Sequence, residues 1–232
     1  VTAPPAGVAA LLALADQRLP SGGHVHSGGV EEAVRGRLVT DGPSLRAFLH
    51  RRLLSVGRVT AGLAAAAVGL TAATVARLDA EADARTPSPA QRAASRAQGR
   101  GLLRLARASW VGPHVDLAWA DLGARPHHPL VLGCAARAAG LGAGEAALVA
   151  AYLAVTGPAT AAQRLLGLDP VEVAVATLDL GADVDAVARA AAAVAVAATP
   201  PSGWHAVPDD GDPLLDLLAE RHAARGDRLF AS

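Results

Sequence analysis

Lysine, methionine, isoleucine and asparagine are all missing from the 232 residues. Without lysine there is no Walker-type phosphate loop, no Schiff-base amine and no Ser–Lys dyad. Cysteine occurs once, as Cys134. One cysteine excludes an internal disulfide and any cysteine-cluster zinc or iron–sulfur site. Aromatics are scarce, at 3%, which argues against a sheet protein built on β-branched and aromatic strands. Excess charge is missing too: 21 basic residues, all arginine, face 21 acids for a net of +0. Proteins that live on phosphate backbones carry a clear basic surplus, so a nucleic-acid partner is not expected. No N-terminal stretch joins a positive region to an apolar core and a cleavage site, so no signal peptide is read. One long uncharged run, between Arg58 and Arg77, is rich in Ala, Gly and Thr. It is too weakly apolar for a membrane span, and a cytoplasmic location is the expectation.

Apolar residues reach 52% and charged residues only 18%, which excludes a disordered chain. The apolar mass is Ala, Leu and Val, and Ala and Leu are strong helix formers. Breaks at Pro, Gly and Asp divide the chain into about ten helical segments. They are read at Val8–Arg18, Val30–Gly36, from Pro43, Thr60–Ala84, Ala90–Ala108, Leu130–Leu141, Gly144–Val155, Pro158–Leu166, Pro170–Leu180, Val184–Ala198 and Asp212–Arg225. His114–Leu122 is a further short candidate. In the third segment Leu45, Phe48, Leu49, Leu53 and Val56 share a face. Asp169-Pro170-Val171-Glu172 reads as a capping box, with Glu172 returning to the cap N–H. No run alternates with period two. The expectation is an all-α protein, a single compact multi-helix bundle over residues 1–232 with a flexible tail over residues 226–232. Small residues on many faces allow close helix approach. They also leave few large side chains for the core, so burial of a partner surface would add stability.

The most informative stretch is Leu19-Pro20-Ser21-Gly22-Gly23-His24-Val25-His26-Ser27-Gly28-Gly29-Val30-Glu31-Glu32. Its glycines permit positive φ and close backbone approach. His24 and His26, spaced i, i+2, project to one side of an extended loop and suit a shared metal ion or an anion. Glu31 or Glu32 could add an oxygen ligand. The competing reading is a tight turn, with Ser27 as a helix cap and the imidazoles bonded to nearby carbonyls. A stable metal site needs three or four ligands in fixed geometry, more than His-x-His supplies.

Arg92, Arg96, Arg100 and Arg104 recur every four residues, with Arg107 one turn on. Each step of four advances about 400°, so they form a winding stripe. Gln98 and Gly99 interrupt it. The stripe is either a docking face for an acidic or nucleotide-bearing partner or a face paired with acids elsewhere in the fold. His127 and His128 sit between prolines, and adjacent side chains rarely face one point. His50, His114, His205 and His222 read as structural or exposed, and Cys134 as inert core. No Gly-x-Ser-x-Gly or His-Glu-x-x-His occurs, so enzyme chemistry has little support.

Four stretches together carry a resemblance. Leu14-Ala15-Asp16-Gln17-Arg18-Leu19-Pro20-Ser21-Gly22-Gly23-His24-Val25-His26-Ser27-Gly28-Gly29-Val30-Glu31 is similar to the N-terminal signature of the UreF family of urease accessory proteins. Ala94-Ser95-Arg96-Ala97-Gln98-Gly99-Arg100-Gly101-Leu102-Leu103 resembles its central helix, His128-Pro129-Leu130-Val131-Leu132-Gly133 a later segment, and Asp227-Arg228-Leu229-Phe230-Ala231-Ser232 its tail. The resemblance implies an all-helical, homodimeric, non-catalytic protein. It would act with UreD (also called UreH) and the GTPase UreG to deliver nickel to apo-urease.

Under that resemblance the partner-facing candidates are His24, His26, Ser27, Gly28, Gly29, Glu31, Arg96, Gln98, Arg100, Arg228, Leu229 and Phe230. His24 and His26 would touch nickel in transit, and no tightly bound cofactor is expected. One departure stands out. Where relatives often read R-L-x-P-L-G-Q, this chain has Arg164-Leu165-Leu166-Gly167-Leu168-Asp169-Pro170. Two other classes remain open from the residues alone: an all-helical small-molecule or metal-sensing module, and a metal-dependent hydrolase using His24, His26 and Glu31.

Overall fold

The computed structural model describes residues 6–19, 25–197 and 203–231. These residues form α1 (Gly7–Ala15), α2 (Val30–Arg35), α3 (Gly42–Arg52), α4 (Arg58–Ala67), α5 (Val75–Ala84), α6 (Pro89–Ser109), α7 (His128–Ala138), α8 (Ala143–Leu166), α9 (Pro170–Leu178), α10 (Gly181–Ala197) and α11 (Pro213–Ala223). Among the described residues there is no strand, only an isolated bridge between His114 and Leu117. The all-helical bundle expected from the sequence is what the chain forms.

The centre is α8, which packs on α4, α10, α2 and α3. It is long and apolar enough to cross a membrane by length and composition, yet 67% of its apolar window is buried inside the fold. One hydrophobic cluster holds the molecule together, with Leu45, Leu49, Leu53, Leu63, Leu130 and Leu132 among its fully buried large side chains. Alanine occupies most of the remaining core positions, and backbones approach accordingly closely. At Gly99 of α6 an added Cβ would lie 2.1 Å from the Pro126 carbonyl oxygen, so only glycine lets α6 rest on the start of α7.

Several boundaries differ from the sequence reading. The helix expected over Thr60–Ala84 is broken between α4 and α5. There Thr74 Oγ1 accepts from Thr71 N at 3.0 Å and donates to Thr71 O at 3.1 Å. Threonine hydroxyls thus take over hydrogen bonds that the helix would otherwise make. Conversely, the two helices expected on either side of Pro158 are one, α8, with Pro158 inside it. Gly157 precedes the proline and has no Cβ to clash with its ring, and burial against four helices outweighs the lost hydrogen bond. The α3 and α4 helices run on through a π-helical turn, Leu53–Gly57. His114–Leu122 is no α-helix: a bridged turn joins His114 to Leu117, and a 3₁₀ turn follows at Trp119–Leu122.

Caps follow the sequence with two corrections. Asp41 and Ser44 form a reciprocal box at the start of α3, Ser44 N donating to Asp41 Oδ1 at 2.9 Å. Asp169 caps α9 through Val171 N at 2.9 Å. Glu172, however, does not return to that cap. Its Oε1 accepts from Gly42 N at 3.1 Å, tying the start of α9 to that of α3. Nor does Ser27 cap α2. The N-cap is Gly29, and Ser27 Oγ is buried without a hydrogen-bond partner among the described residues.

Candidate functional site

The turn that enters α2 places Gly28 at φ 61° and Gly29 at φ 90°. Both lie in the left-handed region that glycine tolerates. An added Cβ on Gly28 would stand 2.9 Å from Pro158 Cγ and 3.1 Å from Arg52 Cζ. The backbone of the turn therefore lies directly on α8 and on the Arg52 guanidinium, and Arg52 Nη1 donates to Gly28 O at 2.9 Å. His24 belongs to residues 20–24, outside the described residues, so its pairing with His26 is not described.

Beneath this turn are two adjoining cavities, of about 350 Å³ and about 120 Å³. His26, Gly28, Arg52, Thr60, Gln98 and His128 line both. They mark the place where the cavities meet. Burial, with a smaller push from the His26 charge, lowers the His128 pKa to about 4. The ring is thus a neutral imidazole at neutral pH, able to offer one nitrogen lone pair and one N–H. Burial alone draws Arg52 down to about 10, so it stays a cation. Gln98, expected on an outer face, points into this interior. The sequence reading passes over Arg52, and takes His128 only as one of two adjacent histidines whose side chains rarely face one point. Arg52 had a legible signal, because positions 45, 48, 49, 52, 53 and 56 share one helical face.

Glu31 faces the other way. Its carboxylate is buried and accepts from His222 Nε2 at 2.9 Å, Leu229 N at 2.9 Å and Phe230 N at 3.0 Å. Burial raises its pKa, but the hydrogen bonds from Leu229, His222 and Phe230 outweigh that and hold it below the ordinary value. The carboxylate is thus committed to the C-terminal segment rather than placed beside His26 for a metal. Among the described residues no group of three or more His, Cys, Asp or Glu side chains is placed to hold a metal ion. Residues 226–231, expected as a flexible tail, lie along α2. Arg35 reaches Asp227 at 3.1 Å, Phe230 packs on the core, and Leu229 remains exposed.

The arginine stripe divides. Arg96 pairs with Asp79 and Asp83, both at 2.8 Å, and donates to Arg125 O at 2.7 Å. His127, fully buried, joins this cluster. Its Nε2 donates to Asp83 at 2.9 Å, and its Nδ1 accepts from Ser95 Oγ at 3.0 Å. Burial above all keeps that ring neutral. Arg100 and Arg104 are exposed and enter no ion pair among the described residues. With Leu103 and Arg107 they line a shallow surface groove. Cys134 is buried, its pKa pushed up to about 12 by burial, as expected of inert core.

The family model described as UreF matches residues 39–181. A urease accessory protein UreF from Mycolicibacterium vanbaalenii is 52% identical over 227 residues, covering 97% of this chain and 99% of that protein. The chain belongs to the UreF family. UreF relatives from Mycobacterium marinum and Mycobacterium tuberculosis are 52% and 47% identical, each over 225 residues, 97% of this chain and 99% of theirs. Where the chain departs from the usual UreF pattern, Gly167 ends α8 in the left-handed conformation, φ 65°, and Asp169 starts α9. The departure is therefore a helix stop followed by a helix start.

Proposed function

We propose that this chain is a non-catalytic scaffold that, with UreD and the GTPase UreG, delivers nickel to apo-urease in the cytoplasm. The observation that carries the reading is the internal junction beneath the Gly28–Gly29 turn. There the signature histidine His26 and the neutral His128 both line the space shared by two cavities. Imidazole suits nickel, and a pair of rings short of a full ligand set suits a cargo that must leave again. Two outer features support partner contact. Arg100 and Arg104 offer charge to an acidic surface. Val171, Val175 and Leu178, at i, i+4 and i+7 on α9, are 67%, 50% and 76% exposed, an apolar stripe suited to a second copy or a partner.

The test is urease activation in cells whose own copy is replaced. His24→Ala with His26→Ala should lower activation several-fold while helicity and co-purification with UreD and UreG persist. Full activation would remove the histidines from the route. Loss of co-purification by the unaltered chain would remove the scaffold.

A further inference from the structure

Among the described residues most charged groups inside this fold meet an opposite charge. Glu31 has His222, and Arg96 has Asp79 and Asp83. Arg52 has no ion-pair partner among the described residues, and burial is the sole influence on its titration. Its guanidinium carries five N–H donors. Gly28 O takes one, and the Nε, fully buried, has no partner. The acids on the wall of the larger cavity are already engaged. Asp212 takes Arg51 at 2.8 Å, Asp216 takes Gln91 at 3.1 Å, and Asp210 takes Arg58 at 3.4 Å. A buried cation left without an anion is costly, and such charges are normally paired.

Thr60, Gln98 and His128, which line the junction with Arg52, bring no carboxylate to it. The Gln98 amide enters no hydrogen bond among the described residues, and the His128 ring borders the same space. Thr60 Oγ1 is spent on Val56 O at 2.9 Å. A guanidinium fork recognises a planar, two-oxygen anion through paired N–H bonds. The smaller cavity, about 120 Å³, lies well below the size that encloses drug-sized ligands.

We propose that Arg52, Gln98 and His128 form an internal site for one small planar oxyanion, of the charge and size of formate or bicarbonate, seated where the two cavities meet. The Gly28 carbonyl, which accepts from Arg52 Nη1, holds the guanidinium in place. The site is a property of the chain alone and stands whether or not nickel passes the same junction.

Titration of the purified full-length chain tests it. [13C]formate and [13C]bicarbonate are added in separate arms, with phosphate as the tetrahedral arm and chloride at matched ionic strength as the reference, and binding is read by calorimetry and carbon line width. One saturable equivalent is expected for a planar anion. Arg52→Gln should weaken it tenfold or more, and Arg104→Gln should leave it unchanged. Gln98→Glu, which brings a carboxylate to the same wall, should abolish binding and raise Tm. That variant decides the matter if Arg52→Gln does not fold. Absence of saturable binding by either planar anion, preference for phosphate, or unchanged affinity in Arg52→Gln or Gln98→Glu overturns the proposal.

Discussion

Replacing Glu31 by Gln should loosen the C-terminal segment and lower stability sharply for so small a change. In the native fold Oε1 accepts from Leu229 N at 2.9 Å and Arg35 at 3.4 Å, while Oε2 accepts from Phe230 N at 3.0 Å and His222 at 2.9 Å. Either orientation of the amide sets its NH₂ against two donors. Hydrogen bonds to a charged group contribute about 1.5–3 kcal/mol, and an orphaned buried donor costs a further share, so a loss of about 2–4 kcal/mol is expected. For a chain of this length about 2–4 °C of Tm follows each kcal/mol, which gives a fall of about 5–15 °C. Calorimetry measures this, and hydrogen exchange at Leu229 and Phe230 shows whether the tail has come free.

The effect should depend on pH in one direction. Glu31 titrates below its ordinary value of 4.5. Its contribution is therefore complete above that pH in the folded protein and is lost as pH falls through the depressed value. The gap between parent and Glu31→Gln should narrow on acidification. An unchanged Tm, with both amides still protected, would refute the clasp.

Four further outcomes follow from the geometry. Gly28→Ala should destabilise by about 1–2 kcal/mol for its left-handed backbone, with about 1–3 kcal/mol more from the contact with Pro158, read as a lower denaturant midpoint. Arg96→Glu should cost about 3–5 kcal/mol, because it leaves Asp79 and Asp83 facing a third carboxylate. Arg100→Glu and Arg104→Glu should change stability by less than about 0.5 kcal/mol while weakening co-purification with an acidic partner, measurable by pull-down and thermal melt in parallel. His127→Ala should lower Tm by leaving Asp83 and Ser95 short of their shared partner, with helicity at 25 °C retained; an unchanged Tm would show that the cluster does not need the ring.

The helical class was legible because it depends on local chemistry. Alanine and leucine favour the helix, Asp41, Ser88, Asp169 and Asp212 cap helices within their own turn, and the breaks fall at glycine and proline. The glycine–histidine turn was legible for a similar reason: positive φ demands glycine wherever the rest of the chain lies. Pairings across long sequence separations were not. Whether Pro158 breaks α8 depends on what buries it, and the destination of Glu172 depends on α3 lying nearby. Arg96 and Arg100 look equivalent along the stripe, yet Asp79 and Asp83 claim the first alone. Tertiary structure alone brings Glu31 to His222, 191 residues away, and encloses Arg52 without an anion. Electrostatic partnership acts through space, and a linear pattern records spacing along one helix but not what the next helix brings against it.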